Sequence, residues 1–333
     1  MIIQTPSIRP SRSFAALSFA AYALIALVGC GTTPHSPEDQ ARNPAGHDAL
    51  SSAVEVAEPP FFRVEAKGGA TLLLLGTIHI GPEEGWKLSA EVERSLVEAD
   101  AFAMEIDLRN LNPDAVGSSL ARLVVLPVDT TLDDVISPET AKLISENEAL
   151  IASLGAPEQT RRRLKPWYLA MSLLQVAIGK TQFSLEKSAE SLILEAAADR
   201  PLRGLETFDE QLSMLNELSV SLQDAMLRDT LGRLDETLAE MNRLIHAWES
   251  GDRDELMAIS RQGISEMPEL EDFYDVLLTD RNQKWLGPLR EALEDPKQAD
   301  SVLFVAVGAL HLVGPDGVPQ LLKDAGYEVS TIH

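Results

Sequence analysis

Residues 71–79 read TLLLLGTIH, a run of apolar residues followed by a glycine and, three positions later, a histidine. The run Leu72–Leu75 is apolar at every position, which predicts a strand that is buried on both faces of a sheet. The preceding segment FFRVE at 61–65 predicts a partner strand, and Gly68 and Gly69 between the two predict the turn of a β-hairpin. The folded part of the chain therefore begins at the first of these strands.

The end of the chain repeats this arrangement. Residues 302–311 read VLFVAVGALH, so that Gly308 ends a second apolar strand and His311 follows it as His79 follows Gly76. A glycine at such a place permits a positive φ or a close approach of another part of the backbone. In open α/β sheets ligands bind at the carboxyl ends of the strands, so we expect the two histidines to share one site.

Hydrophobic periodicity predicts strands and helices at both ends of the folded chain and a mainly helical middle. The predicted elements are a helix over 86–98, a strand over 101–107, a helical segment over 138–290 with one strand at 201–205, a helix over 318–325 and a strand over 327–332. The fold class is therefore mixed α/β (α+β), with a central mixed sheet built from both ends of the chain, flanking helices and a helical insert.

Composition narrows the functions that the chain can have. The 333 residues include 28 Lys and Arg against 52 Asp and Glu, a formal net charge of −24, with 45% hydrophobic residues. That is the composition of a globular protein with a sizeable core. The negative charge argues against nucleic-acid binding and against polybasic attachment to a membrane. A single cysteine excludes an intrachain disulfide framework and an iron–sulfur cluster.

The first sixty residues predict secretion and anchoring. Residues 1–29 contain two arginines and an apolar run over 14–28, which together indicate a signal peptide. The sequence LVGC ending at Cys30 resembles the lipobox of bacterial lipoproteins, which implies a lipidated cysteine and, with Gly31 after it, the periplasmic face of the outer membrane. An ordinary cleavage site is the alternative. Residues 30–60 are rich in Pro, Ser, Ala and Gly and predict a flexible tether.

Two carboxylates are candidates for the same site as the histidines. Glu105 and Glu206 each lie at the end of a predicted interior strand, where an unpaired carboxylate is costly to bury. Each could also be a helix N-terminal charge or a member of a salt bridge. A lone histidine is likewise more often structural than functional, but the matched contexts of His79 and His311 favour a functional role.

At these residues the sequence resembles the TraB/GumN family, also called the TIKI/TraB superfamily. The resemblance covers about 61–333 and rests on 76–79, Glu105, 204–207 with Glu210 and Gln211, Arg281–Asn282 and 308–311. It implies one domain with a duplicated strand arrangement and a shared site. Animal members resemble membrane-tethered, metal-dependent proteases, bacterial relatives include a pheromone-shutdown protein and members of polysaccharide gene clusters, and related branches include esterases with a histidine base. The sequence departs from the family at 184–187, where many relatives have a Gly-Ile/Val-Asp turn.

The resemblance implies a metal-dependent, peptidase-like hydrolase acting on a peptide or other small envelope substrate. His79, His311 and Glu105 would bind Mn²⁺, Co²⁺ or Zn²⁺, beside the two motif glycines Gly76 and Gly308. The catalytic residues would be Glu105 or Glu206 as general base, Arg281 to stabilise an oxyanion and Asn282 to orient substrate or a ligand. Two alternatives stay open: a non-catalytic surface protein that sequesters a peptide or small ligand, and a metal-independent esterase with His79 as base.

Overall fold

The computed structural model describes residues 50–67, 69–262 and 269–333. The predicted signal peptide, Cys30 and most of the predicted tether lie outside the described residues, as does Gly68 in the hairpin turn. Within the described ranges, no helix combines the length and the apolar character needed to cross a membrane.

A six-stranded mixed sheet forms the centre of the molecule, in the order β6-β4-β7-β2-β1-β8. The four strands from β6 to β2 are parallel, whereas β1 is antiparallel to both β2 and β8. A separate two-stranded sheet pairs β3 with β5. The strands are β1 Phe61–Glu65, β2 Thr71–Thr77, β3 Gly81–Pro82, β4 Ala101–Met104, β5 Phe183–Ser184, β6 Leu202–Gly204, β7 Val302–Gly308 and β8 Glu328–Thr331. The predicted mixed sheet built from both ends of the chain is confirmed.

Helices supply most of the remaining described chain. They are α1 Ala90–Glu98, α2 Pro113–Leu123, α3 Pro138–Glu146, α4 Glu148–Ala152, α5 Glu158–Arg161, α6 Pro166–Ile178, α7 Ala189–Ala197, α8 Phe208–Glu217, α9 Val220–Gly232, α10 Leu234–Glu249, α11 Arg253–Ser260, α12 Glu269–Tyr274, α13 Asp280–Glu294 and α14 Val318–Asp324. One π-helical turn, Asp275–Thr279, joins α12 to α13. The predicted helical middle is confirmed.

The leucine run of β2 explains why helices cover both faces of the sheet. Leu73 and Leu75 pack into a large core with the helical insert, and Leu72 and Leu74 pack into a smaller core with α13 and α14. Side chains alternate between the faces of a strand, so a run of apolar residues serves two cores at once.

Two helical boundaries differ from the sequence prediction. The helix expected over 86–98 begins at residue 90, because the hydroxyl of Ser89 accepts a hydrogen bond from the N–H of Val92 and caps it. Trp86 instead precedes the helix, and its indole N–H donates to the carbonyl of Ile80. Farther on, within the predicted helical segment 138–290, α9 and α10 are separated at Arg233 and do not form one continuous helix.

The segment 50–60 lies against the domain, in contrast to the expected flexible tether. Leu50 is fully buried, and Ala57 forms a β-bridge with Leu88. The carboxylate of Glu249 accepts hydrogen bonds from the N–H of Ala53 and from a nearby serine hydroxyl. Isolated buried residues and single hydrogen bonds hold this segment, and such contacts produce no periodic pattern in the sequence.

Candidate functional site

Four predicted site residues lie at the carboxyl ends of four adjacent parallel strands. Glu206 follows β6, Glu105 follows β4, His311 follows β7 and His79 follows β2, each within three residues of the strand's end. Because β2 and β7 pair in parallel with Thr77 opposite Gly308, the two motifs end side by side. The structure therefore brings the two histidines and the two glutamates to one edge of the sheet, where ligands bind in open α/β folds.

Arg281, near the start of α13, joins three of these residues. Its Nε lies 3.0 and 3.2 Å from the two carboxylate oxygens of Glu206, and its Nη2 donates to Glu206 and, at 2.5 Å, to Glu105. Its Nη1 donates to the carbonyl of Leu277 in the π-helical turn and to Nε2 of His311, at 3.0 and 2.9 Å. All five guanidinium N–H groups are thus engaged, so none is left to stabilise an oxyanion in this arrangement.

The two glutamates differ in their electrostatic surroundings. Burial alone would raise the pKa of Glu105, but Arg281 and the backbone N–H of Gly308, 2.7 Å from Oε1, hold it well below its usual range. Burial raises the pKa of Glu206, and Arg281 offsets that effect only in part. The side-chain amide of Gln211 donates to both carboxylates, at 3.1 and 2.7 Å. Both carboxylates thus pair with one guanidinium, but the pKa of Glu105 is lowered and that of Glu206 is raised.

Both ring nitrogens of His311 are engaged. Nδ1 lies 2.6 Å from Oδ1 of Asn282, whose Nδ2 donates to the carbonyl of Asp316 and so fixes the orientation of the amide. Nδ1 is therefore the donor, and Nε2 accepts from Arg281. Burial, together with the positive charge of Arg281, lowers the pKa of His311 to about 3. The neutral ring also packs against Trp285, with ring centres 4.5 Å apart.

His79 lies beside a buried carboxylate at one nitrogen, without hydrogen-bond geometry, and its other nitrogen has no partner among the described residues. Nδ1 lies 3.0 Å from Oε1 of Glu190 on α7, and Nε2 makes no hydrogen bond within the described part of the chain. A Cβ atom built on Gly308 would lie 3.5 Å from this Nε2 and 3.2 Å from Oε1 of Glu105. The free nitrogen of His79 therefore faces the glycine of the other motif and the ionised carboxylate.

A cavity opens at this point, with room for about three water molecules. Its volume is about 40 Å³, and a water-sized position requires roughly 10–15 Å³. The polar part of its lining includes His79, Glu105, His311 and the buried hydroxyl of Thr77, which makes no hydrogen bond to any described residue. The cavity thus presents two unpartnered polar atoms, Nε2 of His79 and Oγ1 of Thr77.

The predicted metal ligands do not fit a cation in this arrangement. His311 has no free lone pair, because Nδ1 donates to Asn282 and Nε2 accepts from Arg281. The carboxylate of Glu105 is already paired with the guanidinium of Arg281, which supplies the positive charge that a cation would otherwise provide. In the described ranges no three His, Cys, Asp or Glu side chains are grouped so as to hold an ion. The metal-dependent mechanism stays a prediction.

The predicted glycines act through close approach. Gly308 has φ −50°, and Gly76 is not among the described residues with positive φ. A Cβ on Gly76 would lie 3.0 Å from Ala309, so the strand end and the following turn touch there. Asn282, expected to orient a substrate or a ligand, orients His311.

Sequence reasoning missed Glu190, Gln211 and Thr77. Glu190 lies just after 184–187, where the sequence departs from the family pattern, and only the packing of α7 brings it to His79: the N–H of Ala189 donates to the carbonyl of Ile78. Gln211 belongs to the residues that carry the family resemblance, but the sequence predicts no role for it. Thr77 lies inside the GTIH motif, and its position before the histidine was the available signal.

Comparisons with known proteins agree with this picture of the chain. The sequence profile described as the TraB/PrgY/gumN family matches residues 60–331. The protein YbaP of Escherichia coli K12, described as uncharacterized, is 27% identical over 79% of this chain and 92% of its own length. An uncharacterized protein of Treponema pallidum is 24% identical over 64% of each chain. No solved structure matches.

Proposed function

Since the chain belongs to the TraB/PrgY/gumN family, we propose that it is a hydrolase of carbonyl substrates in which His79 is the general base. The observation that carries this proposal is the difference in surroundings between the two ring nitrogens of His79. Nδ1 lies 3.0 Å from the carboxylate of Glu190, while Nε2 is buried and makes no hydrogen bond to any described residue, in a side chain that lines the cavity. A histidine oriented by a carboxylate through one nitrogen can take a proton with the other.

The reaction begins with a water molecule beside Nε2 of His79. The ring takes a proton from the water as its oxygen attacks the carbonyl carbon of an ester or amide, and the carboxylate of Glu190 stabilises the resulting imidazolium. The imidazolium then returns the proton to the leaving group as the tetrahedral intermediate breaks down. Glu190 is a positioning residue in this scheme, because it acts through His79.

The hydroxyl of Thr77 is suited to the oxyanion. It is buried, it lines the same cavity, and its oxygen makes no hydrogen bond within the described part of the chain. A donor aimed at a developing negative charge in a site that excludes water contributes more than it would in solution. Arg281, which lines the cavity, and Asn282 hold Glu105 and His311 in its wall, so their role is to keep the strand ends in place.

Metal-dependent peptidase activity is a second candidate, and one observation favours it. Two possible donor atoms, Nε2 of His79 and Oε1 of Glu105, converge on Gly308, where a Cβ would lie 3.5 and 3.2 Å from them. A cation could be held here only if Arg281 released Nε2 of His311. The two candidates therefore differ in whether activity needs an added metal.

The test is mass spectrometry of a peptide library and of simple esters incubated with the full chain in detergent. The arms are wild type, His79→Ala and a control His246→Ala, which removes a histidine whose ring hydrogen-bonds to the backbone of Ser51 and does not line the cavity. Each is run with chelator and with Mn²⁺, Co²⁺ or Zn²⁺. We expect His79→Ala to lower turnover by about 10²–10⁴-fold and the control to retain it.

The outcomes separate the candidates. Turnover that needs His79 and survives the chelator supports the proposed base mechanism. Turnover that is lost with the chelator and restored by a metal ion favours the metal-dependent peptidase. Unchanged turnover in His79→Ala contradicts both, and binding without any change in the mass of the ligand indicates a protein that sequesters its ligand.

We also propose, from the sequence of residues 1–30 alone, that the site works in the bacterial envelope on a chain anchored by lipid at Cys30. Labelling with a radioactive fatty acid tests this directly. Wild type should incorporate the label and fractionate with the outer membrane, and Cys30→Ala should do neither.

A further inference from the structure

The cavity beside His79 has two chemically different sides. Its polar floor comes from the strand ends, and the opposite wall comes from helices. The wall is formed by Leu244 and Trp248 of α10, Leu256 of α11 and Leu278 of the π-helical turn. All four are at most 4% exposed. The helical insert thus supplies an apolar surface to a site whose polar residues come from the sheet.

The wall offers no free hydrogen-bonding group. The indole N–H of Trp248 donates to the carbonyl of Gly76 at 2.8 Å, so this side chain presents only hydrocarbon to the cavity. Among the described lining residues, the unpartnered buried polar atoms are those of Thr77 and His79, both on the floor. A ligand therefore meets hydrogen-bonding partners at one end of the cavity and an apolar surface at the other.

We propose that the substrate is an ester or amide of a short, uncharged acyl group, which packs against Leu244, Trp248, Leu256 and Leu278 while its carbonyl faces Thr77 and His79. This inference rests on the proposed function and names its substrate class. A charged acyl group would be buried against leucine without a partner, which is strongly unfavourable. The carbonyl end satisfies the two polar atoms that the protein leaves unpaired.

The size of the cavity sets the length of the acyl group. A volume of about 40 Å³ holds about three water-sized groups, which corresponds to an acyl chain of two to four carbons. Each methylene that moves from water to the apolar wall should raise kcat/KM about fourfold, until the acyl chain fills the cavity. Longer chains then have to displace Leu256 or its neighbours and should react more slowly.

The experiment measures kcat/KM of the full chain for acetyl, butyryl, hexanoyl and succinyl esters of one chromogenic alcohol, at one detergent concentration. We expect a maximum at butyryl, with hexanoyl and succinyl each at least about tenfold lower. Leu256→Val lengthens the cavity and should raise the ratio of hexanoyl to butyryl activity about fourfold. Leu227→Val is the matched control, because Leu227 is equally buried but does not line the cavity. If Leu256→Val does not fold, Leu244→Val makes the same change.

Failure of this inference differs from failure of the proposed function. Hydrolysis that depends on His79 but is equal for all acyl lengths, or fastest with succinyl, overturns the acyl-group inference and leaves the base mechanism standing. If no ester is hydrolysed, saturation-transfer NMR of butyramide, hexanamide and succinamate with the full chain decides between two results. Binding in the order expected for the esters retains the apolar cavity without the hydrolase, and no binding overturns both.

Discussion

His79 and His311 occupy matching places in two motifs that read alike, yet their ring nitrogens differ in every contact. His311 donates through Nδ1 to Asn282, accepts through Nε2 from Arg281 and is 3% exposed. His79 meets Glu190 through Nδ1, and its Nε2 is free in the cavity. The strand and glycine place a histidine at the edge of the sheet, but the helix packed above it decides whether that histidine is structural or available for chemistry.

The two histidines receive their neighbours from different elements. A single helix, α13, brings Arg281, Asn282 and Trp285 to His311. A different helix, α7, brings the one carboxylate that touches His79. The half of the site around His311 is therefore saturated with hydrogen bonds and the half around His79 is not. The comparison predicts that changes near His311 act on stability and that changes near His79 act on rate.

The largest effect on the free energy of unfolding is expected from a substitution of Arg281. Arg281→Met leaves Glu105 and Glu206 buried without their positive partner, which should lower the free energy of unfolding by about 3–5 kcal/mol. Urea denaturation at pH 7 measures this loss. Arg203→Met is the control, because Arg203 donates only to the backbone carbonyl of Pro288 and should cost about 1 kcal/mol. Equal losses in the two variants would mean that the buried ion pairs contribute little.

The next largest difference in the free energy of unfolding is expected between variants of the two histidines. His311→Ala removes two buried hydrogen bonds and the contact with Trp285, and should lower the free energy of unfolding by about 2–4 kcal/mol. His79→Ala removes a ring whose polar contact within the described chain is the ion-pair contact with Glu190, and should cost about 1 kcal/mol or less. Urea denaturation of both variants checks this. Similar losses would show that the two rings contribute alike to stability.

The sequence predicts where the site lies better than what each residue does there. The apolar runs of β2 and β7, each ended by Gly-x-x-His, place both histidines at one edge of a sheet, and the predicted strand over 101–107 places Glu105 at a strand end. Hydrophobic periodicity also predicted the helical middle. These features are local, because strand burial and strand ends are encoded by neighbouring residues.

The hydrogen bonds within the site were not predictable in the same way. The engagement of all five N–H groups of Arg281 depends on how α13 lies across the strand ends. The contact of Glu190 with His79 depends on α7, more than a hundred residues away in the sequence. Long-range packing of this kind leaves no periodic signal, so the roles expected for Arg281 and Asn282 could be stated only from resemblance.

Acid pH should weaken the half of the site around His311. An unfolded histidine takes up a proton near pH 6.5, whereas burial lowers the pKa of His311 to about 3 in the folded chain. Between these values the unfolded chain binds more protons, so stability falls as pH falls, by at most about 1.4 kcal/mol per pH unit. Glu206, with its raised pKa, acts in the opposite direction.

The variant His311→Asn isolates the contribution of this histidine to acid sensitivity. Between pH 6.5 and 4.5 we expect wild type to lose about 2–3 kcal/mol more than the variant. Chemical denaturation at several pH values gives both slopes, and the effect of Glu206 cancels in their difference. Parallel slopes would mean that His311 is protonated in the folded chain.

The smallest expected effect is that of Glu190→Gln, which keeps the shape of the side chain and removes its charge. We expect kcat on a hydrolysed ester to fall at least about tenfold, because the imidazolium of His79 loses its negative neighbour, with the free energy of unfolding within about 1 kcal/mol of wild type. The acidic limb of the rate profile should also move to lower pH, a change that a purely structural role would not produce. Glu195→Gln, an exposed position on the same helix, is the matched control. If the acidic limb does not move in Glu190→Gln, the carboxylate has no influence on the protonation of the base, and His79 acts without Glu190.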